Sequence, residues 1–215
     1  MVSIGAFTWR WMERWRALAF VIAGLLLLAS PATKALALFV DASLPTWLVV
    51  ILVFPGFLAS MVGLLGLYPT LARQVPRLSL AGGVVATIAG SATAVTFGWM
   101  LAASVPALGI VATPPPGPVF LSLMVSIALG FALFGVASLR TTVISRSVGL
   151  LLLGFAVPWI VIFAVTPVYG SDLPGWLALA LYGVMPPVLL ATGHVLRDDS
   201  VSTESDELSR RTAAS

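Results

Sequence analysis

Long apolar blocks alternate with short polar breaks along this chain, and that alternation predicts its fold. Six blocks are each long enough for a helix to cross the hydrocarbon layer of a membrane, which takes about 20 residues. They cover approximately residues 17–40, 44–67, 80–101, 119–139, 148–168 and 173–196. The pattern therefore predicts an all-α polytopic membrane protein, a six-transmembrane-helix bundle with short loops.

The composition agrees with a membrane protein. The chain is 60% hydrophobic and 9% charged, with a mean hydropathy of +1.08, whereas about a quarter of the residues in soluble domains are charged. Six spans use most of the 215 residues, so little remains for a soluble domain. The sequence contains no cysteine, which excludes disulfides, thiolate metal sites and cysteine nucleophiles.

A stripe of small residues follows the third apolar block. Glycine or alanine recurs there at every fourth position, which on a helix forms one row. Helices in a bilayer associate mainly through close packing and interhelical hydrogen bonds, so a row of small side chains favours close approach. We therefore expect this helix to be central, with the other spans packed around it. The helix-packing stripe consists of Gly82, Ala86, Gly90, Ala94 and Gly98.

Residues 1–16 resemble a membrane-surface helix. Phe7, Trp11 and Trp15 are four residues apart and are interleaved with arginines, and both residue types favour the lipid headgroup level. This pattern predicts an interfacial amphipathic N-terminal segment. Arginines before an apolar stretch are also typical of a cleaved signal peptide, but the apolar pattern continues to Val40 and favours a retained first span.

The basic residues fall almost entirely on one side of the six-span map. Ten of the eleven share the side that holds both termini, and only Lys34 lies on the other. Because basic residues near span ends mark the cytoplasmic side, we expect a cell-membrane protein with cytoplasmic termini. Residues 197–215 contain too little apolar surface to fold and predict a disordered polar tail. The ten arginines are Arg10, Arg14, Arg16, Arg73, Arg77, Arg140, Arg146, Arg197, Arg210 and Arg211.

Groups that could carry chemistry are scarce. We expect no ionisable residue at mid-depth, where burial is costly and usually functional. His194 is the only histidine, so a multi-histidine metal site is excluded; with Asp198 it is either a pH-sensitive pair or an interfacial imidazole. The sequence contains no HExxH, GxSxG, P-loop or GxGxxG motif. We therefore predict no catalytic, cofactor-binding or metal-binding residue, and no cofactor.

Prolines inside the spans are the remaining residues that could form part of a functional site. Each leaves a carbonyl without its helical hydrogen bond, and in lipid that carbonyl needs another partner. One interpretation is a polar pathway where these carbonyls meet hydroxyls of neighbouring spans. The other, which we favour, is a set of kinked helices in a tight bundle. The pathway residues are Pro55, Thr87, Ser91, Ser126, Pro158, Pro186 and Pro187.

Three function classes follow from these observations. The leading hypothesis is a non-enzymatic integral membrane protein, such as an accessory or membrane-organising component. The alternative is a small transporter or channel subunit that uses the kinked helices, and the third is an enzyme with a cytoplasmic site built from His194 and the loop arginines. A water-filled cavity favours the second class and a dry interior the first. The expected partners are the lipid bilayer and either a second copy or another membrane protein, not nucleic acid.

Overall fold

Every regular element in the described part of the chain is an α-helix. The computed structural model describes residues 4–42, 44–103, 117–169 and 173–213. Six segments of it are long and apolar enough to cross a membrane, so the predicted all-α six-span bundle is confirmed. The helices are α1 (Ile4–Leu27), α2 (Ala29–Phe39), α3 (Thr46–Ala72), α4 (Pro76–Ala103), α5 (Gly117–Leu139), α6 (Arg146–Tyr169) and α7 (Gly175–Ala213).

The first span is divided into two helices, a break that we did not predict. Helix α1 ends at Leu27 and α2 begins at Ala29. Pro31 explains the position of the break, because a proline has no N–H for the carbonyl four residues earlier and its ring collides with that carbonyl. The carbonyl in question belongs to Leu27. The prolines that we expect to kink spans 2, 5 and 6 lie inside continuous helices, and the kinks themselves stay a prediction.

The spans pack in a closed ring that follows chain order. Each span contacts the next, and α7 returns to pack against α1. Helix α3 also contacts α5 directly, which leaves α4 outside the seam between those two helices. The expectation that α4 is central is therefore wrong: its main neighbours among the described helices are α3 and α5.

The geometry of the small-residue stripe explains this error. Positions four apart advance by about 40° around an α-helix, so a row of five turns through about 160° and cannot face one neighbour. Gly82 and Ala86 are buried against α5, whereas Ala94 and Gly98 are exposed and Gly90 lies near Met61 of α3. The buried face instead alternates steps of three and four, as in left-handed helix packing. Its residues are Ser79, Gly82, Ala86, Ala89, Thr93 and Thr96.

Glycines bring α1 and α7 into close contact and thereby close the ring. A Cβ at Gly193 would lie 2.8 Å from the carbonyl oxygen of Ala17 and 3.1 Å from the backbone nitrogen of Val21. On α1, a Cβ at Gly24 would lie 3.0 Å from the carbonyl oxygen of Pro186. Both glycines therefore sit where any larger residue would force the two backbones apart.

The second close crossing joins α5 and α6. A Cβ at Gly135 would lie 3.1 Å from the carbonyl oxygen of Gly149, and a Cβ at Gly149 would lie 3.0 Å from that of Gly135. The two glycines therefore face each other across the hairpin. Small residues at helix contacts are the usual means of close association in lipid.

Polar contacts connect the turns at one end of the ring. The Arg16 guanidinium donates to the Thr70 hydroxyl at 3.0 Å, and the backbone N–H of Thr142 donates to the Gln74 side-chain carbonyl at 3.4 Å. The arginine-bearing turns of the hairpins therefore lie together, at what we call the arginine end. Lys34 lies toward the opposite end, which we call the Lys34 end.

The two terminal segments are helical. Helix α1 begins at Ile4, within the predicted amphipathic segment, and α7 continues to Ala213 through the tail that we expected to be disordered. Side chains 1–14 and 200–215 lie outside the described set, so the amphipathic pattern stays a prediction. The sequence places Asp206 and Glu207 four residues before arginines, a spacing that stabilises helices and that low apolar content does not reveal.

Substitution of Gly193 by alanine tests the ring closure. The new methyl group meets backbone atoms of α1 that cannot move independently, so we expect the free energy of unfolding to fall by about 1–3 kcal/mol. Reversible unfolding in bicelles measures the change. Gly154→Ala is the matched control, because nothing lies within 4 Å of its Cβ position; it should retain or gain stability. Equal stability of the two variants would contradict the proposed close contact.

Candidate functional site

A cavity of 220 Å³ lies inside the ring, in the half of the bundle toward the Lys34 end. Side chains from α1, α2, α3, α5, α6 and α7 line it, so five of the six spans contribute and α4 does not. Its wall is mainly apolar and aromatic, with Phe54 and Phe57 from α3 and Met185 from α7. The cavity is therefore a property of the closed ring and not of any helix pair.

Four polar side chains are distributed along the depth of this cavity. Ser30 and Lys34 lie one turn apart on α2, and Tyr182 and Trp159 come from α7 and α6. Depth is measured along each helix from its terminus at the Lys34 end, at about 1.5 Å per residue. By this measure Lys34 lies about 8 Å from the terminus of its helix, Tyr182 about 10 Å and Trp159 about 15 Å. The charge thus lies nearest the membrane surface and the indole near the floor.

Trp159 forms part of the floor. Only 1% of the residue is exposed, and its ring lies 5.7 Å from that of Phe57 at an angle of 54°. Its buried indole N–H has no hydrogen-bond partner among the described residues. Leaving a buried donor unpaired costs about 1–3 kcal/mol, a cost that the packing of the indole ring has to offset.

Below the cavity the interior is tightly packed. Phe131 of α5 and Phe155 of α6 lie one turn beyond the floor residues Ile127 and Trp159 and are fully buried. Their ring centroids are 4.0 Å apart, with an interplanar angle of 32°. This aromatic pair closes the cavity toward the arginine end, while exposed Lys34 marks the other end.

The structure does not gather the predicted pathway residues around one site. Pro55 and Ser126 are partly buried, Pro158 and Pro186 are buried, and none of them lines the cavity. The exposed members are Thr87, Ser91 and Pro187.

The predicted prolines nevertheless mark the depth of the cavity. Phe54, Trp159 and Met185 line it, and each is adjacent in sequence to one of those prolines. Adjacent residues on a helix point about 100° apart, so the pattern located the level of the site but selected the wrong face.

Sequence reasoning missed Ser30, Lys34, Trp159 and Tyr182. In the sequence, Lys34 serves only to orient the spans, and no role is assigned to Trp159 or Tyr182. The available signal was the i, i+4 spacing of Ser30 and Lys34 on either side of Pro31, the residue that divides the span.

The other candidate groups lie on the surface at the arginine end. The imidazole of His194 is 3.5 Å from the carboxylate of Asp198, and these side chains are 75% and 66% exposed. The loop arginines Arg73, Arg77 and Arg140 are also exposed. Within the described residues no three acidic, histidine or cysteine side chains form a group suited to a metal ion.

No protein-family model, no curated protein and no solved structure matches this chain. The function therefore has to be inferred from the site itself. Its features are an apolar wall, one lysine toward the membrane surface and an aromatic closure at the opposite side.

Shortening Phe131 to alanine tests the closed half of the bundle. Lipid is as apolar as the protein interior, so the loss reflects packing and the residual void; we expect the free energy of unfolding to fall by about 2 kcal/mol. Phe39→Ala is the control, because that ring is 76% exposed and its loss should change stability little. Unfolding in bicelles compares them, and an unchanged Phe131→Ala protein would show that Phe131 is not tightly packed in this half of the bundle.

Proposed function

We propose that the protein is a non-enzymatic, multi-pass cell-membrane protein that binds a small hydrophobic molecule in the central cavity. The observation that carries this proposal is that side chains from five of the six spans wall one cavity. A ring that leaves such a space at its centre gives up packing contacts that a tight bundle would make. Occupancy by a ligand restores those contacts.

The lining supports ligand binding. Binding sites for small molecules are typically concave and mostly apolar, with a few polar groups that fix orientation. The cavity has this composition, and its 220 Å³ lies just below the usual range of about 300–1,000 Å³. The fitting ligand is therefore small.

The same lining argues for binding and against catalysis. It contains a lysine and two hydroxyl groups but no carboxylate, histidine or cysteine. Acid–base catalysis generally needs a pair of groups with different protonation states near the reacting bond. The proposed role requires the bilayer as partner, and the arginine-bearing turns favour an orientation with that end and both termini in the cytoplasm.

A carrier is the second candidate function. A central cavity with packing on one side is the geometry expected of one state in alternating access, where a site near the middle is exposed to one face at a time. A channel has less support, because the interior between the cavity and the arginine end is packed, with Phe131 and Phe155 fully buried.

Single cysteines test the proposed cavity, since the chain has none of its own. We expect Ser30→Cys to react with a membrane-impermeant thiol reagent added outside intact cells, because thiolate formation needs water and Ser30 lines the cavity. Ala32→Cys is the matched control: it lies on the same half-helix, exposed but outside the lining. Equal reactivity of the two variants, or labelling of Ser30→Cys only from the cytoplasmic side, would overturn the proposal.

A third variant separates a carrier from a binding protein. Ser138 is fully buried near the arginine end, so Ser138→Cys should stay unlabelled from either side in a protein that only binds. A carrier would expose it to reagent in inverted vesicles during turnover. Labelling there would replace the binding role by transport.

A further inference from the structure

We propose that the ligand of this cavity is a small amphipathic anion, with its acidic group at Lys34 and its hydrocarbon part against the aromatic floor. This inference rests on the proposed binding function and adds the chemical class of the ligand. It follows from the sign of the charge in the lining, the kind of hydrogen-bonding groups present and their order along the depth of the cavity.

The charge of the lining selects an anion. Lys34 is the one charged side chain among the lining residues, and it has no ion-pair partner in the described part of the chain. A charge next to low-dielectric surroundings interacts more strongly than one in bulk water. The aromatic rings could attract a cation, but the ammonium group of Lys34 would repel one that entered.

The hydrogen-bonding groups select an acceptor. A lysine ammonium and an indole N–H only donate, whereas the hydroxyls of Ser30 and Tyr182 can donate or accept. A carboxylate or similar oxyanion at Lys34 therefore meets an ammonium donor, and the hydroxyls of Ser30 and Tyr182 can donate as well. An ammonium ligand would find only the hydroxyl oxygens of Ser30 and Tyr182 as acceptors and would face the like charge of Lys34.

The order of the groups selects an amphiphile. Measured by helical rise from the helix termini at the Lys34 end, Lys34 lies at about 8 Å and the floor at about 15 Å. Phe54 and Phe57 form part of the apolar wall. A ligand with one charged end and an apolar body satisfies both regions. A small inorganic anion would leave the apolar wall uncovered.

Two kinds of molecule combine an anionic head with a hydrocarbon body. One is a free carboxylate of medium chain length, and the other is an anionic membrane lipid that inserts part of itself. The binding experiment includes an arm for each source.

Equilibrium binding to the full chain in phosphatidylcholine nanodiscs tests the inference with three ligands of one chain length. Octanoate is the anion, octanamide its uncharged analogue and octylammonium its charge-reversed analogue. Lys34→Gln should weaken octanoate binding about tenfold and leave octanamide affinity unchanged. Lys34→Arg keeps the charge and should retain octanoate binding. Arg73→Gln, which removes an exposed charge at the other end, is the matched control and should have no effect.

The outcomes separate this inference from the proposed function. If octanamide or octylammonium binds with an affinity equal to that of octanoate, or if Lys34→Gln binds octanoate like the unaltered protein, the anion is overturned and the cavity function stands. Binding of none of the three, with Ser30→Cys also unreactive, would overturn both. If phosphatidylglycerol competes with octanoate and Lys34→Gln abolishes the competition, the anion is supplied by a membrane lipid; without competition it is the free carboxylate.

Discussion

Close contact between helix backbones is the constraint on which this structure depends. In hydrocarbon the spans gain little from the hydrophobic effect when they meet, so association relies on how closely their surfaces fit. Gly24 and Gly193 allow α1 and α7 to meet backbone to backbone, and Gly135 and Gly149 do the same for α5 and α6. These crossings set the helix separation at two of the contacts around the ring. The central cavity is the space that remains when helices of this shape are held at those distances.

The sequence predicts the number and kind of elements well because membrane crossing imposes a simple rule. A span needs a minimum length of apolar residues, and the six blocks meet it. The predicted boundaries fall short mainly at the arginine end, where α3 continues to Ala72 and α4 already begins at Pro76. Arginine and proline signalled a loop there, but both are compatible with the first or last turn of a helix.

The arrangement of the spans was harder to predict, because it depends on which face of each helix is buried. A row of small residues at every fourth position indicates close packing somewhere but does not specify one partner. Helix α4 shows this directly, since Gly82 faces α5 while Gly98 meets nothing within 4 Å. The cavity was missed for the same reason. Its residues come from five spans, and no local pattern relates Ser30 to Trp159 or Tyr182.

The external position of α4 has a consequence for how the protein tolerates change. Because α3 and α5 touch behind it, the shape of the cavity is insulated from the lipid-facing surface of α4. Substitutions on that surface, or a change in the thickness of the surrounding bilayer that shifts it, reach the cavity only through α3 or α5. The helix with the most conspicuous sequence pattern therefore packs outside the cavity, which is lined by the other five spans.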